Sequence, residues 1–125
     1  MLGAANGMIA TGLSAIGAHA LPATMTAFDK ATFALATDFH LFHALALLLT
    51  GMLASVRPNT RPFSIAAWLY QVGIIAFSGS LYLRTALGPG SLGFFHWVTP
   101  IGGLALIAGW GALILAGYTI SQERS

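Results

Sequence analysis

Four long apolar stretches, separated by short polar breaks, decide what this chain can fold into. They cover about residues 2–21, 39–56, 63–83 and 99–120. A bilayer-spanning helix needs about 20 mostly apolar residues, and each stretch matches that length closely. Pro22 closes the first, Arg57 and Pro58 close the second, and Arg84 marks the far end of the third. Thr99 and Pro100 fit the N-cap and first helical position of the fourth, where a missing backbone donor is harmless. The expected fold is all-α: one integral membrane four-helix bundle formed by residues 1–125.

Charge content agrees. Only 6% of the residues are charged and 57% are hydrophobic, whereas soluble domains carry about 25% charged residues. So few charges cannot cover a water-facing surface, so the lipid bilayer must be the first partner. The net charge of +2 is small and scattered, with no basic run and no glycine-rich phosphate loop, so a nucleic-acid partner is not expected. Cysteine is absent, which removes disulfides, thiolate metal sites and cysteine nucleophiles. The first stretch superficially resembles a secretory signal, but no Lys or Arg precedes its apolar run. It is expected to be retained as a helix.

Between the first two stretches, residues 25–37 read as a short helix lying at the membrane interface. Thr26 followed by Asp29 resembles a capping box. With no Pro or Gly between them, this helix could also run on into the second span. Four spans place both termini on one side. Arg57 and Arg61 share that side in a tight loop, where the positive-inside rule counts most. Both termini are therefore expected in the cytoplasm, or in the matrix of a mitochondrion.

Small residues form helical stripes. Gly3 and Gly7 lie on the first span, Gly73 and Ser80 on the third, and Gly102 and Gly109 on the fourth. Such faces let backbones approach closely, a main association force in lipid. They serve packing within the bundle, docking of a partner, or both. Asn6, Gln71, Ser78 and Ser80 are expected to make hydrogen bonds between helices.

The ionisable residues of the spans gather on the side opposite the termini. His19 ends the first span, Asp38, His40 and His43 open the second, Arg84 closes the third, and His96 precedes the fourth. One reading is a ligand site. His40 and His43 could share a metal with His19 or His96 as third ligand, because neutral imidazole suits zinc, copper and iron. A haem would want opposed histidines such as His19 and His43, and a quinone headgroup is a further possibility. The other reading is interfacial polarity, in which these groups pair with one another and with backbone. The three-residue spacing of His40 and His43 lacks the Glu of a metalloprotease helix or of a di-iron bundle. With all ionisable groups placed near the ends of the spans, a proton-coupled transporter is not expected. Nor is an enzyme, since neither a nucleophile elbow nor a paired carboxylate is present.

The chain resembles the small four-helix membrane proteins of domain-of-unknown-function 423, whose animal relatives are transmembrane protein 256. The stretches that carry the resemblance are GAHAL (residues 17–21), HALALLLTG (43–51), FSGSLYL (77–83) and TPIGGLALIAGW (99–110). The family pattern extends to His19, His43, Ser78, Gly79, Ser80, Tyr82, Thr99, Pro100, Gly102 and Gly103. Where relatives commonly read Tyr-Gln, this chain has Phe39-His40, and Asp38 occupies a position often held by Gln. The resemblance implies a protein of the bacterial inner or mitochondrial inner membrane and implies no activity. Taken together, the expectation is a small accessory or structural subunit without catalysis or cofactor, packed against a membrane-protein partner or against itself.

Overall fold

The computed structural model describes all 125 residues, and its regular structure is entirely helical. Four helices run alternately up and down: α1 (Leu2–His19), α2 (Ala27–Val56), α3 (Arg61–Leu87) and α4 (Val98–Glu123). A π-helical turn, Ile75–Gly79, interrupts α3 midway without ending it. A short 3-10 turn, Gly93–Trp97, leads directly into α4.

The second helix differs from expectation. Residues 25–37 are not a separate interfacial helix, because α2 runs unbroken for 30 residues. Thr26 is its N-cap, with its hydroxyl accepting the Asp29 amide at 3.1 Å. With neither proline nor glycine before Gly51, nothing interrupts the hydrogen-bond ladder through the first four-fifths of the helix. Consequently Asp38 and His40 do not open the helix. Asp38 lies nine residues beyond Asp29, about 13 Å along the axis. The start of α4 differs too. Trp97, not Thr99, takes the N-cap position, and the Thr99 hydroxyl bonds across to Ser80 instead.

Glycines set the helix spacing at four contacts. A Cβ on Gly3 would lie 2.5 Å from the Leu48 backbone, and one on Gly73 would meet the Leu106 side chain at the same distance. A Cβ on Gly102 would strike the backbone between Ala76 and Phe77, and one on Gly109 would reach the Tyr70 ring at 2.7 Å. Gly7 is different: half-buried itself, it would direct a Cβ into open space with nothing within 4 Å.

The four helices do not share one core equally. Ala46 and Leu47 of α2, Ala66, Tyr70 and Ile74 of α3, and Leu106 and Ala112 of α4 form the hydrophobic cluster, to which α1 contributes nothing. Instead α1 packs along α2 and makes no substantial contact with α4, so the arrangement is not a closed square bundle. The apolar exterior fits a bilayer: Phe42, Leu49, Ile107 and Ile114 all face outward, Ile114 by 74%. Three helices are long and apolar enough to cross a membrane, Ala27–Val56, Arg61–Leu87 and Gly93–Glu123 with its leading turn. At 18 residues and with Asn6, Thr11, Ser14 and His19 in its sequence, α1 is not among them.

Candidate functional site: two histidine networks inside the bundle

His40 sits buried where α1, α2 and α3 meet, 5% exposed. Its two ring nitrogens reach Tyr82 Oη at 3.0 Å and Asn6 Oδ1 at 3.1 Å. The Asn6 amide is oriented by its other contacts, because Nδ2 donates to the Leu2 carbonyl at 2.9 Å and to Gln71 Oε1 at 2.8 Å. That leaves Oδ1 as the acceptor, so His40 carries its proton on Nε2 and accepts the Tyr82 hydroxyl proton on Nδ1. The result is a directional chain: Tyr82 donates to His40, His40 to Asn6, and Asn6 to Gln71. Both ends lie on α3, eleven residues or about 16 Å apart. This chain is the main tie holding α1 against α3.

His43 is equally buried and belongs to a second network. Its Nδ1–H donates to the Phe39 carbonyl at 2.8 Å. That assigns the acceptor role to Nε2, which receives the Trp110 indole N–H at 3.2 Å. An indole offers only a donor, so the bond requires a neutral His43. Phe39 stacks on the imidazole, while Phe42, Tyr70 and Trp110 approach it edge-on or tilted. Tyr70 is fully buried beside it, and its hydroxyl has no hydrogen-bond partner.

The remaining polar groups of this half of the molecule pair locally. Arg84 donates to Asp29 at 2.9 Å and lies 5.2 Å above the Phe28 ring, closing the loop-side end of α2 on α3. Ser78 and Ser80, both at the π-turn, bond to the Ala36 carbonyl and to Thr99. The turn thus aims two hydroxyls of α3 at two different neighbours, one on α2 and one on α4. Gln71, Asn6, Ser78 and Ser80 all make contacts between helices.

The residues His19, Asp38, His40, His43, Arg84 and His96 are therefore not one cluster. His40 and His43 are on one helix yet serve separate networks. Arg84 belongs to an ion pair. His19 is exposed at the end of α1, and His96 is exposed in the 3-10 turn, bonded to the Gly93 carbonyl and stacked on Trp97. His43 points at α4, which α1 does not substantially touch, so His19 and His43 do not face each other across a haem-sized gap. No three of the His, Asp and Glu side chains converge on a metal-sized centre. Asp38 stands apart: exposed on α2, in a groove shared with α4.

Trp110 and Asp29 are the partners not singled out as site residues from the sequence. A tryptophan at mid-span, rather than in the interfacial aromatic belt, was the available signal for Trp110. Gln71 and Tyr82 are eleven residues apart, three helical turns, which already places them on one face of α3.

The family described as "Protein of unknown function (DUF423)" matches residues 13–103. The chain is 38% identical over 118 residues to the UPF0382 membrane protein SAB0533 of Staphylococcus aureus, covering 94% of this chain and 93% of that one. It is 34% identical to the UPF0382 membrane protein YwdK of Bacillus subtilis, over 93% of this chain and 92% of the relative. It is also 34% identical to the UPF0382 inner membrane protein YgdD of Escherichia coli K12, over 96% and 88%. No solved structure matches. With the family match spanning most of the chain and these relatives aligned along nearly their whole length, the chain belongs to the DUF423 family of membrane proteins.

Proposed function

We propose that this protein is a small accessory or structural subunit of the bacterial inner membrane, without catalysis or a resident cofactor of its own. It docks by helix packing against a larger membrane protein or a second copy. The observation that carries this reading is the position of α1. It contributes nothing to the cluster formed by the other three helices, and its outer side carries small residues around one exposed methionine, Met8: a Cβ added at Gly7 or Gly12 would meet nothing within 4 Å, and Ala4, Thr11 and Ala15 are exposed beside them. A small face without a partner lets another helix approach to backbone contact.

In this reading all four helices cross the bilayer. The 18 residues of α1 extend about 27 Å, close to the ~30 Å hydrocarbon thickness. Its most strongly polar group before the C-terminal histidine, Asn6 in the second turn, is bonded to Gln71 and His40 rather than left to lipid. Both termini then lie at the Arg57–Glu123 end, and Arg57 and Arg61 favour the cytoplasm for that end.

A metal, haem or quinone site on His40 and His43 is the weaker reading. Every ring nitrogen of the pair already has a protein partner, so a metal would have to break one bond per ligand. A quinone carbonyl needs a donor, and both imidazole N–H groups are already donating.

The test is photo-crosslinking in native membranes from a reactive side chain at Gly12, with particle sizing in mild detergent. One defined adduct, either a dimer or a single heteromeric partner, is expected, and Gly7→Leu should abolish it without loss of helical content. A stable bare monomer that forms no adduct overturns the assignment.

A further inference from the structure

Three side chains are carboxylates, and two of them hold an arginine: Asp29 pairs with Arg84 and Glu123 with Arg57, each at 2.9 Å. The third, Asp38, is exposed, takes part in no ion pair and receives no hydrogen bond. Its setting makes that unusual. It lies among the exposed apolar side chains of Leu35, Phe39, Leu41 and Phe42, twelve residues into α2 and at the loop-side edge of the apolar stretch 39–56. An uncompensated charge among lipid-facing side chains calls for a counter-ion.

The groove that Asp38 lines, between α2 and α4, is open along one side and has a volume of about 590 Å³. That is within the roughly 300–1,000 Å³ of sites for drug-sized ligands. Its walls are two preset aromatic pairs. Phe39 and Phe77 lie 4.8 Å apart by ring centroid, and Phe42 and Trp110 lie 6.2 Å apart. The bond to His43 fixes the indole of Trp110. No lysine or arginine contributes to the lining. Aromatic faces attract a desolvated cation, tryptophan most strongly.

We propose that this groove binds an amphipathic organic cation, a protonated or quaternary ammonium on an apolar body, with Asp38 as its counter-charge and the aromatic walls holding the body. An inorganic ion is a poor match. It would find one carboxylate and no further set of oxygen ligands among apolar walls. The site is separate from the open face of α1 and stands or falls independently of the docking role.

Equilibrium dialysis of tritiated tetraphenylphosphonium against the full-length protein in dodecyl maltoside tests this, since that detergent carries neither charge nor amine. Saturable one-to-one binding is expected. Asp38→Asn should weaken it at least tenfold while Asp38→Glu retains it, both with unchanged circular dichroism, because Asp38 holds no internal bond that the fold would lose. Triphenylphosphine oxide, similar in shape and uncharged, should fail to compete. Adding a short-chain phosphatidylcholine or phosphatidylethanolamine distinguishes the source of the cation: displacement identifies a lipid ammonium, and no displacement a free amphiphile. Either outcome supports a cation site. Equal binding by wild type and Asp38→Asn, or no binding above partition into empty micelles, overturns it. So does a crosslink from position 107 showing the groove filled by a partner helix whose Lys or Arg sits on Asp38.

Discussion

Trp110 donates its indole N–H to Nε2 of His43 across 3.2 Å, and this bond joins α2 to α4 where the two helices otherwise meet through few contacts. The bond is directional. His43 must remain neutral, with its proton on Nδ1 and the Phe39 carbonyl fixing that tautomer. Hydrogen bonds between membrane helices average about 0.6 kcal/mol in double-mutant cycles, with a maximum near 1.7. The cycle of His43→Phe and Trp110→Phe should therefore give a coupling energy of about 0.6 kcal/mol, read from unfolding in mixed micelles. A coupling indistinguishable from zero would mean that the aromatic packing alone holds this contact.

His40 makes a different prediction, because it needs both a donor and an acceptor. His40→Leu leaves Asn6 Oδ1 and Tyr82 Oη without partners inside the bundle and should cost about 2 kcal/mol. The loss should concentrate in α1, since Asn6 is that helix's polar anchor. Hydrogen exchange over residues 2–19 should accelerate more than exchange in α4. His40→Gln should be much milder, since a carboxamide oxygen can accept from Tyr82 and one of its two N–H groups can donate to Asn6. If Gln proves as damaging as Leu, imidazole geometry matters beyond donor and acceptor count.

These two histidines also show where sequence reasoning stops. Apolar run lengths place the helices, because burial in lipid depends on length and composition alone. They place the depth of each polar residue less well: Asp38 and His40, expected to open the second helix, lie twelve and fourteen residues into it. Run lengths do not place a residue's direction around the helix. His40 and His43 are three residues apart and so point only about 60° apart, close enough to suggest one shared site. Yet one faces α1 and α3 while the other faces α4, because a neighbouring helix lies on each side of that narrow angle. The continuity of α2 was ambiguous for a related reason. Residues 27–37 carry Phe28 and Leu35 outward and Asp29, Phe33 and Thr37 inward, a pattern that suits an interfacial helix or a bundle helix. Contacts distant in sequence decide it: Asp29 with Arg84, Phe33 with Tyr82, and Phe33 with the bare backbone of Gly17.

Tyr70 offers a gain rather than a loss. Its side chain is fully buried, and its hydroxyl has no partner. A buried polar group left unpaired costs about 1–3 kcal/mol. Tyr70→Phe keeps the ring against Gly109 and Trp110 and removes the hydroxyl, so it should stabilise the protein by about 1 kcal/mol. A higher thermal midpoint in dodecyl maltoside is the expected reading. A lower one would show that the hydroxyl is hydrogen-bonded in the folded protein and contributes to its stability.

The Arg84–Asp29 pair closes the loop-side end of α2 on α3, with Asp29 9% exposed and Arg84 25% exposed by side chain. Truncating the arginine leaves a nearly buried carboxylate without its counter-charge, which is far more costly than losing an exposed surface pair. Arg84→Ala should cost about 2 kcal/mol, less than for a fully buried pair because Arg84 is partly solvated. The double replacement Arg84→Leu with Asp29→Asn should recover most of that loss, since it removes both charges together. Chemical unfolding of the three proteins compares them directly. Equal stability for Arg84→Ala and wild type would place Asp29 in contact with solvent.

Glycines on the same stripe type should separate into two classes. A side chain at Gly102 would collide with the α3 backbone at Ala76 and Phe77, which cannot move aside as a flexible side chain could. Gly102→Val should therefore destabilise by about 3 kcal/mol and push α4 away from α3. A Cβ at Gly7 would meet nothing within 4 Å, so Gly7→Leu should leave the unfolding transition of the isolated protein within about 0.5 kcal/mol of wild type. Measured in detergent, the two substitutions differ only through contacts inside one chain. Measured in native membranes, Gly7→Leu should become the disruptive one, because the bulky side chain then blocks whatever helix rests on α1. If Gly7→Leu loses stability in detergent as well, α1 packs more tightly within the monomer than its open face indicates.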